Sequence, residues 1–76
     1  MQFQLSVFYE NAFLSYVITT EDKATFTFNL KSKPSGNPYA PPHFIVTRLE
    51  DKWTFDGELE TGFKKSVIST LKKAKV

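Results

Sequence analysis

Apolar and polar side chains alternate through the N-terminal part of the chain. Side chains of a strand point alternately to its two faces, so this alternation predicts a half-buried strand. One face of this first strand carries the apolar set Phe3, Leu5, Val7 and Tyr9. The opposite face carries Gln2, Gln4, Ser6 and Phe8.

Two short connections predict how the next strands pair with the first. A two-residue turn at Glu10-Asn11 places Val7 opposite Leu14, and by the same register Leu5 opposite Tyr16 and Phe3 opposite Ile18. A three-residue loop at Glu21-Asp22-Lys23 then predicts the pairs Ile18–Phe26, Tyr16–Phe28 and Leu14–Leu30. One apolar face is therefore expected to run across three strands.

A proline-rich segment follows the third strand. Residues Lys31 to Pro42 contain all four prolines of the chain, which predicts a long ordered loop or crossover. The PxxP pattern at its end is interpreted as part of a rigid connector rather than as a docking peptide.

A fourth strand is expected at His43 to Leu49. A two-residue turn at Glu50-Asp51 then leads into a fifth strand, which ends at Asp56-Gly57. This turn sets Val46 opposite Phe55 and Arg48 opposite Trp53. The second pair favours a cation–π contact.

The hydrophobic period changes from Glu58 onward and predicts a C-terminal amphipathic helix. Its apolar stripe recurs every four residues at Leu59, Phe63, Val67 and Leu71, with Ile68 beside it. Asp56 is the candidate N-cap, with Glu58 and Glu60 in the first turn. Lys72, Lys73 and Lys75 are expected in the last turn, where cations complement the helix dipole. Gly62 inside this helix costs roughly 1 kcal/mol relative to alanine.

These elements predict an α+β fold in the order β-β-β-loop-β-β-α. The helix is expected to pack on one face of a five-stranded antiparallel sheet, and a small barrel capped by the helix is the main alternative. The chain has 76 residues, which predicts a single domain over 1–76. Average stability per residue gives an expected free energy of unfolding of ~4–11 kcal/mol.

Composition narrows the compartment and the chemistry. The chain has no cysteine, which excludes disulfides, cysteine-bound zinc and thiol catalysis, and favours a reducing compartment. The N-terminus has no basic start or apolar run typical of a secretory leader, although a trimmed mature form would look the same. No stretch approaches the roughly 18 apolar residues of a membrane span. The sequence therefore predicts a cytoplasmic protein without membrane association.

The second face of the predicted sheet is the main candidate for an interaction surface. A single helix covers only one face, so the other is expected to be open and to expose apolar side chains among hydroxyl groups. The candidate interaction face comprises Phe8, Phe13, Val17, Ile45 and Leu49. The alternative is that the sheet curls and the Lys31–Pro42 loop covers this face. An open face predicts a protein partner or a homodimer.

A second candidate surface is the basic C-terminal end. Residues 61–76 contain five lysines and no acidic residue, within a chain of net charge +2. The candidate basic patch comprises Lys64, Lys65, Lys72 and Lys75. Clustered cations bind phosphates, so a weak nucleic-acid-binding accessory protein is the alternative function. A solvated helix face is the preferred interpretation, because the chain has a single arginine and no RRM, KH or cold-shock motif.

No catalytic, cofactor-binding or metal-binding signature is present in the sequence. His43 is the single histidine and stands at a strand entrance without a nearby acid at ligand spacing. The carboxylates occur in turns and at the helix start, where they are expected to be exposed and to have similar environments. Paired-carboxylate catalysis needs two acids in different environments, so these positions do not favour it. The sequence therefore favours a non-enzymatic interaction or self-associating module without a cofactor.

Overall fold

The protein forms an open antiparallel sheet with one helix. The structure, a computed structural model, describes residues 1–75. Its elements are β1 (Gln2–Tyr9), β2 (Ala12–Thr19), β3 (Thr25–Ser32), β4 (His43–Leu49), β5 (Lys52–Asp56) and α1 (Thr61–Ala74). The strands follow one another in the order β1-β2-β3-β4-β5, and the two outer strands are not paired with each other. The α+β prediction is confirmed, and the barrel alternative is wrong because β1 and β5 remain edges.

Two of the hairpins have the predicted register. Val7 pairs with Leu14 across the β1–β2 hairpin, and Arg48 pairs with Trp53 across the β4–β5 hairpin. The first turn places both Glu10 (φ 50°) and Asn11 (φ 61°) in the left-handed region. Two such residues make a type I′ turn, whose twist matches that of the flanking strands. This short connection fixes the register of the β1–β2 hairpin.

From Tyr16 to Thr19 the β2–β3 register differs by two residues from the predicted one, and an irregularity between Ser15 and Tyr16 then places Ser15 opposite Ser32. Ile18 pairs with Phe28 rather than Phe26, and Tyr16 pairs with Leu30 rather than Phe28. The predicted three-residue loop is a five-residue connection, 20–24, between the strand ends. A shift by an even number leaves every side chain on its expected face, so the apolar face is the same.

Local hydrogen bonds explain the longer connection. The Asp22 carboxylate accepts from the backbone N–H groups of Ala24 (2.9 Å) and Thr25 (2.8 Å). The buried Thr20 hydroxyl accepts from the N–H of Lys23 at 3.0 Å. Short polar side chains of this kind satisfy the backbone of a turn and compete with strand pairing. These hydrogen bonds stabilise a connection that is two residues longer than the alternation predicts.

One core lies between the sheet and the helix. The helix stripe contributes three fully buried side chains, Phe63, Val67 and Leu71. The sheet contributes the buried side chains Val7, Ala12, Leu14, Tyr16, Ile18, Phe26, Phe28, Phe44 and Val46. The predicted burial of Val7, Tyr16 and Phe28 on the helix side is therefore confirmed.

The helix begins later than predicted. Asp56 ends β5, and the N-cap position belongs to Glu60, which makes no side-chain capping bond. Gly57, at φ 98°, turns the chain, and an extended link leads from there to the helix. Glu58 and Glu60 therefore precede the first turn. At the other end Lys72 and Lys73 occupy the last turn, whereas Lys75 is the left-handed C-cap.

The proline-rich segment packs on the helix side of the sheet. Tyr39 and Ala40 contact the core, and the Tyr16 hydroxyl donates to the carbonyl of Pro41 at 2.8 Å. The N–H of Leu30 donates to the carbonyl of Pro42, also at 2.8 Å. These contacts hold the connector against the core. The opposite face does not receive this loop.

Candidate interaction surface

Two phenylalanine rings form an exposed pair at one end of the open face. Phe8 of β1 and Phe13 of β2 stand directly opposite each other, beside the type I′ turn. Their ring centroids are 4.7 Å apart, with the planes tilted by 50°. Phe8 remains 49 % exposed and Phe13 66 % exposed. We call these two side chains the aromatic pair.

The other three predicted members of the face lie elsewhere on it. Val17 and Ile45 are partly buried, and Leu49 is 73 % exposed at the far end of β4, beside Lys52. The row next to the aromatic pair is polar, and the rows beyond it mix polar and apolar side chains. The rows are Ser6–Ser15, then Gln4–Val17–Asn29–His43, then Gln2–Thr19–Thr27–Ile45. The five residues share a face, but the hydroxyl row Ser6–Ser15 separates the aromatic pair from the other three.

The centre of the face holds a small polar network. Nδ1 of His43 lies 2.8 Å from Oδ1 of Asn29, and the Lys31 ammonium donates to Oε1 of Gln4 at 3.1 Å. His43 has no carboxylate partner here that would tune it as a catalytic base. Within residues 1–75 no group of three or more histidine and acidic side chains is placed to hold a metal ion.

The four lysines of the predicted basic patch do not share one surface. The Lys64 ammonium lies 5.8 Å from the centre of the Phe55 ring, on the β5 side of the helix. Lys65 and Lys72 line a shallow groove on the outer helix face together with Lys73. Sequence reasoning omitted Lys73 from the patch, although eight residues separate it from Lys65, a spacing that puts both on one helix face.

A second groove joins the aromatic pair to the helix. It lies at the β1 edge of the sheet and is lined by Phe8, Lys65, Ser66, Ser69, Thr70 and Lys73. We call it the edge groove. Its lining combines one aromatic ring, three hydroxyl groups and two ammonium groups without any carboxylate. The sequence pattern did not reveal it, because it depends on how far the helix extends along β1.

A hydrogen-bonded tyrosine cluster fixes the start of the helix beside this groove. The Tyr9 hydroxyl donates to Glu60 Oε1 at 2.9 Å, and the N–H of Glu60 donates to the Tyr39 hydroxyl at 3.0 Å. The bond to the Glu60 carboxylate raises the pKa of Tyr9 to about 12. Burial raises the pKa of Tyr16 as well. Both phenols therefore stay protonated at neutral pH and act as structural donors.

The Asp22 carboxylate accepts two backbone hydrogen bonds within the β2–β3 turn. Hydrogen bonds from the backbone N–H groups of Thr25 and Ala24 lower its pKa. Its role is to hold the β2–β3 turn, because both donors belong to that turn. This carboxylate lies in the loop and is not paired with a second acid.

Comparison with protein-family models, with curated proteins and with solved structures finds no match to this chain. Within residues 1–75 no helix has the length and hydrophobicity needed to cross a membrane. The function of the protein is therefore inferred from its exposed side chains and surface grooves.

Proposed function

We propose that the protein is a non-enzymatic interaction module that associates with a protein partner, or with a second copy of itself, through the aromatic pair. The observation that supports this is the exposure of Phe8 and Phe13 on a face that neither the helix nor the proline-rich connector covers. Large apolar side chains that remain together at the surface often mark a contact site. The two rings lie 4.7 Å apart and together offer a partner one apolar anchor.

The energetics fit a weak or moderate contact. Burying a large apolar side chain contributes ~1.5–3 kcal/mol, so two rings on each of two subunits contribute ~6–12 kcal/mol at most. Both rings are already half or one-third covered, which lowers that figure. Association itself costs ~4–15 kcal/mol. The aromatic pair alone therefore supports a reversible rather than an obligate complex.

Nucleic-acid binding through the helix remains the alternative, with less support. One of the four cations of the candidate basic patch is engaged elsewhere, because the Lys64 ammonium lies over the Phe55 ring. The single arginine of the chain, Arg48, lies outside the helix, with its guanidinium 5.4 Å from the centre of the Trp53 ring. The Arg48–Trp53 contact was predicted from the register and is confirmed. Lys65, Lys72 and Lys73 form a smaller basic surface than the sequence indicated. The absence of cysteine is consistent with a cytoplasmic location for the proposed module.

Sedimentation velocity over a wide concentration range tests this proposal. Wild type is compared with Phe8→Thr/Phe13→Thr, because threonine keeps the strand propensity of both positions. Leu49→Thr is the control, since Leu49 is exposed on the same face but far from the pair. We expect association in wild type and in the control, and a weaker association with higher solubility in the double variant. A wild type that stays monomeric and no more prone to precipitation than the double variant would contradict the proposal.

A further inference from the structure

The edge of β1 has unpaired backbone groups directly beside the edge groove. Met1 and Thr20 exchange both of their backbone hydrogen bonds, at 2.8 and 2.9 Å. Bonded and non-bonded residue pairs alternate in an antiparallel ladder, so Phe3, Leu5, Val7 and Tyr9 bond to β2. The N–H and C=O groups of Gln2, Gln4, Ser6 and Phe8 therefore point outward. Within the described chain no strand pairs with this side of β1.

β1 itself lacks the sequence features that usually prevent a strand from recruiting another chain. β1 has eight residues, no proline, no charged side chain and no bulge. Exposed edges are commonly protected by short length, lysines or prolines. The other edge, β5, is shorter at five residues and begins and ends with charged side chains, Lys52 and Asp56. β1 is therefore the better template for an added strand.

The charge of the edge groove indicates what kind of segment fits. Lys65 and Lys73 line the groove, and residues 61–75 contain no carboxylate side chain. The Glu60 carboxylate at the start of the helix is engaged by the Tyr9 hydroxyl. A strand added beside β1 points alternate side chains toward the helix and toward the open face. Acidic side chains on the helix side would meet the two lysines, whereas apolar side chains on the other would meet Phe8.

From this juxtaposition we infer that the β1 edge binds an extended acidic peptide segment, in which acidic and apolar residues alternate, as a sixth strand. The inference rests on the proposed function, since it gives the interaction module a partner chemistry. Main-chain hydrogen bonds to Gln4, Ser6 and Phe8 supply the affinity of such strand addition. Contacts with Lys65, Lys73 and Phe8 determine which peptide sequences bind.

NMR titration of the whole chain with synthetic peptides tests this inference. The probe is a peptide of alternating glutamate and valine with the same eight-residue length as β1. One control peptide has lysine in place of glutamate, and a second has every backbone nitrogen methylated so that it cannot donate. We expect saturable shifts of the Gln4, Ser6 and Phe8 amide signals with the first peptide alone. Equal binding of the methylated peptide would overturn the inference, because it would show charge attraction without strand pairing.

Matched variants separate the backbone contribution from the charge contribution. Ser6→Pro removes an outward N–H and leaves the β1–β2 ladder intact, and Ser6→Ala is its control; we expect about tenfold weaker binding for the proline variant only. Lys73→Glu is expected to weaken binding about threefold to tenfold, whereas Lys72→Glu, outside the groove, changes it less than about twofold. Equal losses for the two lysine variants would overturn the inference.

The oligomeric state of the protein distinguishes a peptide partner from a second copy as the occupant of the β1 edge. Self-association that Ser6→Pro abolishes, with no peptide binding by wild type, would overturn the inference, because a second copy would then be the occupant of the edge. Self-association that depends on Phe8 and Phe13 but not on Ser6, again without peptide binding, would also overturn it. The proposed contact through the aromatic pair survives the second result, and it survives the first only if Phe8→Thr/Phe13→Thr also weakens the self-association. The melting temperature of the Ser6 variants, compared with wild type, confirms that they are folded during these measurements.

Discussion

Gly62 allows the first turn of α1 to lie against the Tyr9 ring. A Cβ atom at this position would lie 3.1 Å from Cε1 of Tyr9 and 3.2 Å from its hydroxyl oxygen. The ring cannot move freely, because it packs against Tyr39 and Phe63 and donates to Glu60. The sequence indicated only the cost of a helical glycine. The reason for it lies in a neighbour 53 positions earlier in the chain, which no local pattern reveals.

Gly62→Ala is expected to fail to stabilise the protein in spite of its better helix propensity. The gain of about 1 kcal/mol from alanine is offset by displacement of the Tyr9 ring. In a Tyr9→Ala background the obstacle is absent, so the same change should raise the free energy of unfolding by about 1 kcal/mol. Urea unfolding of the four proteins of this cycle measures the difference. A full stabilising effect of Gly62→Ala in wild type would contradict the close contact.

At the scale of the elements, the predictable part of the fold is the identity of the faces. Side-chain alternation fixed which residues of β1 and β2 are buried, and a four-residue stripe fixed the buried side of α1. The register of β3 was not predictable from alternation, because two registers that differ by two residues bury the same side chains. The hydrogen bonds of Asp22 and Thr20 stabilise the longer connection and so favour the observed register. The start of α1 was misplaced because tyrosine contacts, rather than a capping side chain, anchor it.

Phe63→Ala tests whether the helix is integral to the fold. Phe63 is fully buried and its ring contacts Tyr9, Tyr16, Tyr39 and Phe44. Truncating a buried phenylalanine costs about 3–5 kcal/mol, which is a large part of the ~4–11 kcal/mol expected in total. We expect a variant that is largely unfolded, or close to it, by circular dichroism. A cooperative melt near that of wild type would mean that the helix is peripheral.

At the scale of the whole molecule, the two faces of the sheet have different roles. The helix and the proline-rich connector both pack on one face and build a single core there. The other face carries the aromatic pair, a polar centre and isolated apolar residues. Sequence alone identified Phe8 and Phe13 as members of that face. It could not show that the helix brings Lys65 and Lys73 beside Phe8, because that depends on the tertiary arrangement.

Thermal unfolding of Phe8→Thr/Phe13→Thr tests the central claim most directly, namely that the aromatic pair is a contact surface and not a second core. An aromatic pair contributes about 0.5–1.5 kcal/mol beyond its burial, and 1 kcal/mol shifts the melting temperature of a domain of this size by roughly 4–8 °C. The covered parts of the two rings, about half of Phe8 and one third of Phe13, add to this loss. We expect a cooperative melt below that of wild type but well above that of Phe63→Ala. A double variant as unfolded as Phe63→Ala would contradict the claim and show that the open face is part of the core.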